Sequence, residues 1–395
     1  MERTKPDGSV AGRRRAVTVI AVGAVAIDSA LLGLIAPLLP AIEQRTGAGD
    51  AALGLALAAY AVPIALLSLP LGRAADSIGR RWMLALGLLF VAAGSVLIAL
   101  SDSIGVLMAA RGVQGVGSAA SWISALALVS DMAPPGRRGE ALGVALGATS
   151  VGAIAGPALG GVTAQVLSFA APFLISAGLA LALVAAALIV LPRRAPQVRP
   201  ALPALPTILE AVRSGAGAWG AAILLSSAAV LGLIEVVAPL DLEARLELSS
   251  AAIGGLFAGS IAVDALFAPF GGRWGDRRGR WAPAIAGLAL TAASVVLLAI
   301  LPGVAGAAIA LVVYGSGFSL SMSASVPWLD ESMAQGARGL AYGVQNLLYA
   351  TGYIVGPIVG GVLLAGVGAD LAYVLTAVVL GTGAVALLLA RGSAR

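Results

Sequence analysis

Twelve apolar stretches, each about as long as the 20 residues a helix needs to cross a ~30 Å hydrocarbon core, constrain this chain more than anything else in it. They run over 17–41, 51–71, 82–100, 104–129, 141–166, 171–191, 216–240, 251–271, 282–301, 303–328, 341–366 and 370–390, numbered here as spans 1 to 12. In hydrocarbon every backbone N–H and C=O must be satisfied within its own segment, so stretches of this length become helices. Composition agrees. Only 11% of the 395 residues are charged and the mean hydropathy is +1.00, whereas a soluble domain carries about 25% charge.

The net charge of +5 invites a nucleic-acid reading that its distribution overturns. Twelve spans put the termini and the even-numbered loops on one side of the membrane. That side takes all but three of the 24 Arg and Lys residues, Arg13–Arg15, Arg73, Arg80, Arg81, Arg273, Arg277, Arg278 and Arg280 among them. The exceptions are Arg45 and Arg245 on the far side and Arg111 inside span 4. Basic residues stay cytoplasmic during insertion, so both termini are expected in the cytoplasm. The first apolar run is too long for a cleavable signal peptide. The Ala-, Gly- and Arg-rich, Lys-poor composition suggests a bacterial chain, hence a multi-pass protein of the inner (plasma) membrane. The chain has no cysteine and no histidine. Thiol chemistry and imidazole-ligated metals are excluded, and any proton relay must run on carboxylates.

The second half of the chain repeats the first. Gly72-Arg73-Ala74-Ala75-Asp76-Ser77-Ile78-Gly79-Arg80-Arg81 joins spans 2 and 3, and Gly272-Arg273-Trp274-Gly275-Asp276-Arg277-Arg278-Gly279-Arg280 joins spans 8 and 9. Gly152, Gly156-Pro157 and Gly160-Gly161 in span 5 return in span 11 as Gly352, Gly356-Pro357 and Gly360-Gly361. Two unrelated motifs recur at one offset, which is the mark of duplication. The expected fold class is therefore an all-α integral membrane protein of twelve transmembrane helices in two pseudo-symmetric six-helix bundles. Its expected units are a tail (1–16), a first bundle (17–191), a Pro- and Arg-rich linker (192–215), a second bundle (216–390) and a tail (391–395). Such halves place a cavity at their interface near the midplane, exposed to each side in turn as they rock.

The loop Gly72-Arg73-x-x-Asp76-x-x-Gly79-Arg80-Arg81 resembles the signature loop of the major facilitator superfamily. Arg111-x-x-Gln114-Gly115 in span 4 resembles that superfamily's Arg-x-x-Gln-Gly motif. Gly152-x-x-x-Gly156-Pro157-x-x-Gly160-Gly161 is similar to the antiporter motif of its drug:proton exporters. Span 1, with Asp28 before Pro37 and Pro40, and span 7, with Glu235 before Pro239, are similar to vesicular amine transporters. Where those transporters carry further acids on spans 10 and 11, this chain has Met322 and Asn346. The resemblance implies proton-coupled export of lipophilic, cationic or amine compounds by a monomer in the bilayer, with the proton gradient in place of any cofactor. It implies that Gly72, Arg73, Asp76, Gly79, Arg80, Asp276 and Arg280 latch the cytoplasmic gate, with Asp76 pairing Arg80 or an arginine of a neighbouring helix. It implies that the span 5 glycines close a seam between the halves against leakage, while Arg111, with Gln114 beside it, either acts on a nearby acid and couples the proton or ties helices through backbone carbonyls.

The residues carry a reading of their own. A charge at the bilayer centre costs at least ~2.5–3.5 kcal/mol, so intramembrane acids mark function. Asp28, 11 residues after Val17, lies about 16 Å deep and is the leading proton or cation site. Asp264 sits in span 8. Glu235, nearer the far end of span 7, fits an interfacial anchor as well as a substrate contact. Trp122, Tyr314, Phe318, Tyr349 and Tyr353 offer a soft wall suited to cations, with Asn346 beside the repeated glycine motif. Gly152, Gly156 and Gly160 recur every four residues on one helix face, where small residues let helices approach closely. Asp76 is favoured near the helix terminus that follows it. The sequence has no Gly-x-x-x-x-Gly-Lys-Ser/Thr phosphate loop. A proton symporter importing a metabolite and a non-transporting ligand sensor are the rival readings.

Overall fold

The computed structural model describes residues 8–133, 138–191, 213, 215–332 and 338–393. Residues 1–7 and 394–395 of the expected tails lie outside them, as does the linker save 213 and 215. The side chains of Arg13, Arg14 and Asp76 lie outside them too.

Eleven helices among the described residues are long and apolar enough to cross a membrane. Span 1 is Gly8–Leu34 followed by a short 3-10 turn, Ala36–Leu38, and Leu39–Thr46. Pro37 and Pro40 supply no N–H, and the α-helical ladder breaks there. Spans 2 to 6 are Asp50–Ile78, Arg80–Ala99, Ile104–Met132, Arg138–Val166 and Ala171–Val190. Spans 7 to 10 are Gly215–Leu246, Ser250–Arg278, Trp281–Ile300 and Gly303–Glu331. The last helix, Arg338–Ser393, has 56 residues, enough for two crossings. Gly368 interrupts it at φ 80°, ψ 171°, a conformation open to glycine, and separates span 11 from span 12. The first helix begins at Gly8, inside the stretch read as a tail, because extending a formed helix costs far less than starting one.

Two apolar cores organise these helices. The first draws on spans 1 to 6 plus Val236 and Leu240 of span 7, and the second on spans 7 to 12 plus Ala36 of span 1. Span 1 packs on spans 4, 5 and 6, while span 7 packs on spans 10 and 11. The two sets meet along two seams, span 2 with span 11 and span 5 with span 8.

The seams are closed at one end. A Cβ on Gly54 would strike the Pro357 carbonyl, and one on Gly361 the Asp50 carbonyl. On the other seam Gly161 faces Ser250 in the same way and Gly254 faces Pro157. All four glycines lie towards the far side, away from the termini. At the opposite ends of the same helices, a Cβ on Gly143, Gly147, Gly272 or Gly343 would meet nothing within 4 Å. Among the described residues, the close backbone contacts between the halves therefore lie towards the far side.

Candidate functional site

Asp28 is 8% exposed and Arg111 1%, deep in the first half. They are held through Tyr60 of span 2, whose hydroxyl donates to Asp28 Oδ1 at 3.2 Å while its ring lies 4.3 Å beneath the Arg111 guanidinium. Ser118 presents its hydroxyl to both Asp28 and Tyr60. Arg111 Nη1 donates to Gln114 Oε1 at 2.9 Å, and Gln114 Nε2 donates to Ser95 Oγ of span 3 at 2.9 Å. The next residue, Gly115, lets span 2 close in, because a Cβ there would strike the Tyr60 carbonyl. The motif thus has a local logic. Arginine supplies charge, glutamine ties it to span 3, and glycine admits the helix that brings Tyr60.

The second half supplies a matching acid. Glu235 is 4% exposed, so its carboxyl is enclosed by the helices. It accepts a short hydrogen bond from the Tyr353 hydroxyl of span 11. Tyr353 stacks on Tyr349, with centroids 6.5 Å apart and planes 7° from parallel. Glu235, Tyr353, Tyr60 and Asp28 all lie within electrostatic reach of Arg111. Two acids from opposite halves thus lie within electrostatic reach of one arginine. Among the described residues Arg111 Nε and Nη2 have no hydrogen-bond partner, so the guanidinium rests on these charges rather than on a closed ladder of bonds. An uncompensated buried charge is strongly destabilising, and the acids are what make this one tolerable.

Asp264 lies in the second half, close to Ser319. The Ser319 hydroxyl donates to the Asp264 backbone carbonyl at 2.9 Å. Tyr314 is buried next to Phe318, their centroids 6.0 Å apart, and Tyr349 lies near both Glu235 and Asp264. Asn346 is exposed. Trp122 packs instead against the first core. Two carboxyls within reach of one guanidinium, with Asp264 near Tyr349, can take up protons or an organic cation in turn, and the surrounding rings favour a lipophilic one.

Sequence reasoning missed Tyr60, Ser118 and Ser95. Depth would have pointed to Tyr60. It lies ten residues into span 2, near the level of Asp28. At the helical rise that is about 15 Å from the far end.

The glycine motif divides its labour. On span 5 a Cβ at Gly152 would come within 3.0 Å of Ala26 Cα, at Gly156 within 2.9 Å of Ala30 Cα, and at Gly160 within 2.9 Å of Leu34 Cγ. All three partners belong to span 1, so these glycines join helices within one half. The seam between halves falls to Gly161 and to Pro157, whose carbonyl receives Gly254. Span 11 repeats the division. Gly352, Gly356 and Gly360 seat span 7, while Gly361 and Pro357 meet span 2. The expected leak-proof seam therefore uses only part of the motif. Residues four apart share a helix face, and the adjacent Gly161 is turned about 100° from it.

At the terminal side, Gly79 (φ 98°) and Gly279 (φ 80°) turn the chain between spans 2 and 3 and between spans 8 and 9. Arg80 pairs with Asp131 at the end of span 4 and donates to the Ala127 carbonyl at 2.9 Å. Arg280 pairs with Asp276 at 2.8 Å and with Glu331 at the end of span 10 at 3.3 Å. The Arg80 partner is thus an acid on a neighbouring helix, and the expected pairing with Asp76 falls on a side chain outside the described set. Asp131 and Glu331 themselves stand 200 residues apart, a repeat that would have flagged both. A Cβ on Gly72 would approach only Ile123, at 3.9 Å, and Arg73 is exposed. The Arg280 pairs stay within the second half, and Arg80 with Asp131 within the first.

The Major Facilitator Superfamily profile matches residues 20–240 and again 220–394. The chain is 28% identical to Multidrug resistance protein 1 of Bacillus subtilis (strain 168) over 344 residues, covering 84% of this chain and 85% of that protein. It is 26% identical to the synaptic vesicular amine transporter of Mus musculus over 287 residues, covering 69% of this chain and 53% of that protein. Its fold superposes on a bacterial homologue of the human lysosomal transporter Spinster, crystallised inward-facing and unoccupied. The TM-score is 0.75 at 18% identity, with 98% of this chain and 96% of that one covered. The profile and the fold cover nearly the whole chain and the relatives agree with them: this chain is a secondary transporter of the major facilitator superfamily.

Proposed function

We propose that the protein exports lipophilic cations or amines in exchange for protons by alternating access. The observation that carries this reading is that Asp28 and Glu235, one from each half, both lie within electrostatic reach of the buried guanidinium of Arg111. Rocking of the halves changes how the two acids share that charge. Each acid then takes a proton or gives it up to an arriving cation. Asp264 and the tyrosines of the second half hold the organic part. Substrate and proton compete for the same carboxyls, so exchange follows without ATP.

In this reading the terminal side is the cytoplasm of a bacterium, and the cavity between the halves collects substrate there. The bundles 17–191 and 216–390 rock about the seams of spans 2 with 11 and 5 with 8 in the plasma membrane. The multidrug resistance and vesicular amine relatives support the class of cargo. Proteoliposomes with an imposed pH gradient test it with ethidium, comparing the native protein with Asp28→Asn. Gradient-driven ethidium movement that the variant abolishes is expected. A folded native protein that moves no cation under the gradient would sink the proposal.

A further inference from the structure

The duplication provides an internal control for the cavity. Gln114 of span 4 and Tyr314 of span 10 stand 200 residues apart, each followed by a glycine, Gly115 and Gly315, that admits the neighbouring helix. In the first half both ends of the Gln114 amide are used. Oε1 accepts from Arg111 and Nε2 donates to Ser95, each at 2.9 Å. The corresponding positions in the second half are Leu311 and Val295, buried and apolar. The Leu311 carbonyl is already taken by the Ser260 hydroxyl at 2.7 Å. Tyr314 is 6% exposed, and among the described residues its hydroxyl has no hydrogen-bond partner and no contact with solvent.

A buried donor left unmet costs about 1–3 kcal/mol, so an orphan at this position calls for a partner. Tyr314 is packed beside Phe318, within electrostatic reach of Tyr349, Glu235 and Asp264. A bound cation engages the two carboxyls, which leaves the phenol proton to the rest of the ligand. The geometry points to a hydrogen-bond-acceptor subsite at Tyr314. The transported compounds then carry, besides a positive charge and an apolar body, a carbonyl, ether or ring nitrogen set apart from the charge. This inference rests on the proposed transport of cations and narrows it to acceptor-bearing ones. First-half chemistry closes on itself at Gln114. Second-half chemistry is left open at Tyr314, and this difference between the halves is what lets one wall of the cavity read the ligand.

A matched pair of probes tests it: tetraphenylphosphonium and its analogue with one acetyl group on a phenyl ring. Calorimetric titration of the purified full chain in detergent compares native protein with Tyr314→Phe. The Phe variant keeps the ring and its contact with Phe318, and a thermal melt checks that it is folded. Native protein is expected to bind the acetyl compound more tightly by about three- to ten-fold, the range one net hydrogen bond supports. Tyr314→Phe should erase that preference, bringing the acetyl compound down to the affinity of tetraphenylphosphonium. The cycle of two ligands and two proteins isolates the hydroxyl from any general loss of fit. Equal binding of the two probes by the native protein, or an equal loss of both in the variant, overturns the subsite while leaving cation export standing. A native protein that binds neither probe overturns both.

Discussion

The seams make a quantitative demand on Gly361. A Cβ at this position would lie 3.1 Å from both Asp50 C and Ala51 Cα, and closer still to the Asp50 carbonyl oxygen, all of them backbone atoms of the other half. Backbone cannot rotate away as a side chain can, so Gly361→Ala forces span 11 and span 2 apart where the far side closes. Overpacking of this kind costs about 1–3 kcal/mol. The clash exists only while the far side is closed, so the whole cost falls on that state. At about 1.36 kcal/mol per decade the balance moves towards the far-side-open state by roughly five- to 150-fold. The chain has no cysteine, so labels can be placed without background. Spin labels on cysteines at the exposed Ser168 and Asp370, in far-side turns of opposite halves, report the separation by pulsed electron resonance. Gly361→Ala should populate a longer distance, and Gly161→Ala, facing Ser250, should do the same from the other seam. Gly255→Ala, where a Cβ meets nothing within 4 Å, should leave the distribution unchanged. Identical distances in all three variants would refute the assignment of these glycines to a closing seam.

Two further expectations follow from the same contacts. Gly156→Ala and Gly356→Ala meet backbone of their own half, Ala30 and Ala229. They should lower the melting point by an amount equivalent to about 1–3 kcal/mol without shifting the label distances. At the terminal side, the Arg80 and Asp131 side chains are 10% and 19% exposed, whereas those of Arg280 and Glu331 are 18% and 56%. Asp131→Ala should therefore destabilise by about 3 kcal/mol, as for a pair broken largely out of water. Glu331→Ala should cost less than about 1 kcal/mol, as for a screened surface pair. Thermal melts in detergent compare the two, and equal losses would remove the distinction.

What could be read in the sequence was what repeats or what a bilayer forbids. Twelve spans followed from length and polarity, and the interior acids stood out because hydrocarbon tolerates so few of them. The terminal-side ion pairs were half legible. Arg80 and Arg280 were visible in their loops, but the partners Asp131 and Glu331 needed the 200-residue offset to be carried beyond the glycine motifs. The site resisted for a different reason. Glu235 faces Arg111 from a distant part of the chain, and no local pattern measures how far apart two helices stand. That spacing is set by the glycines. Gly115 brings Tyr60 to Arg111, Gly156 brings span 1 and its Asp28 against span 5, and Gly356 brings span 7 and its Glu235 against span 11. Read only as packing or only as a family signature, the glycines say little about chemistry. Read as the distances they impose, they decide which charges meet, and the coupling of the two halves is a consequence of where a methyl group cannot fit.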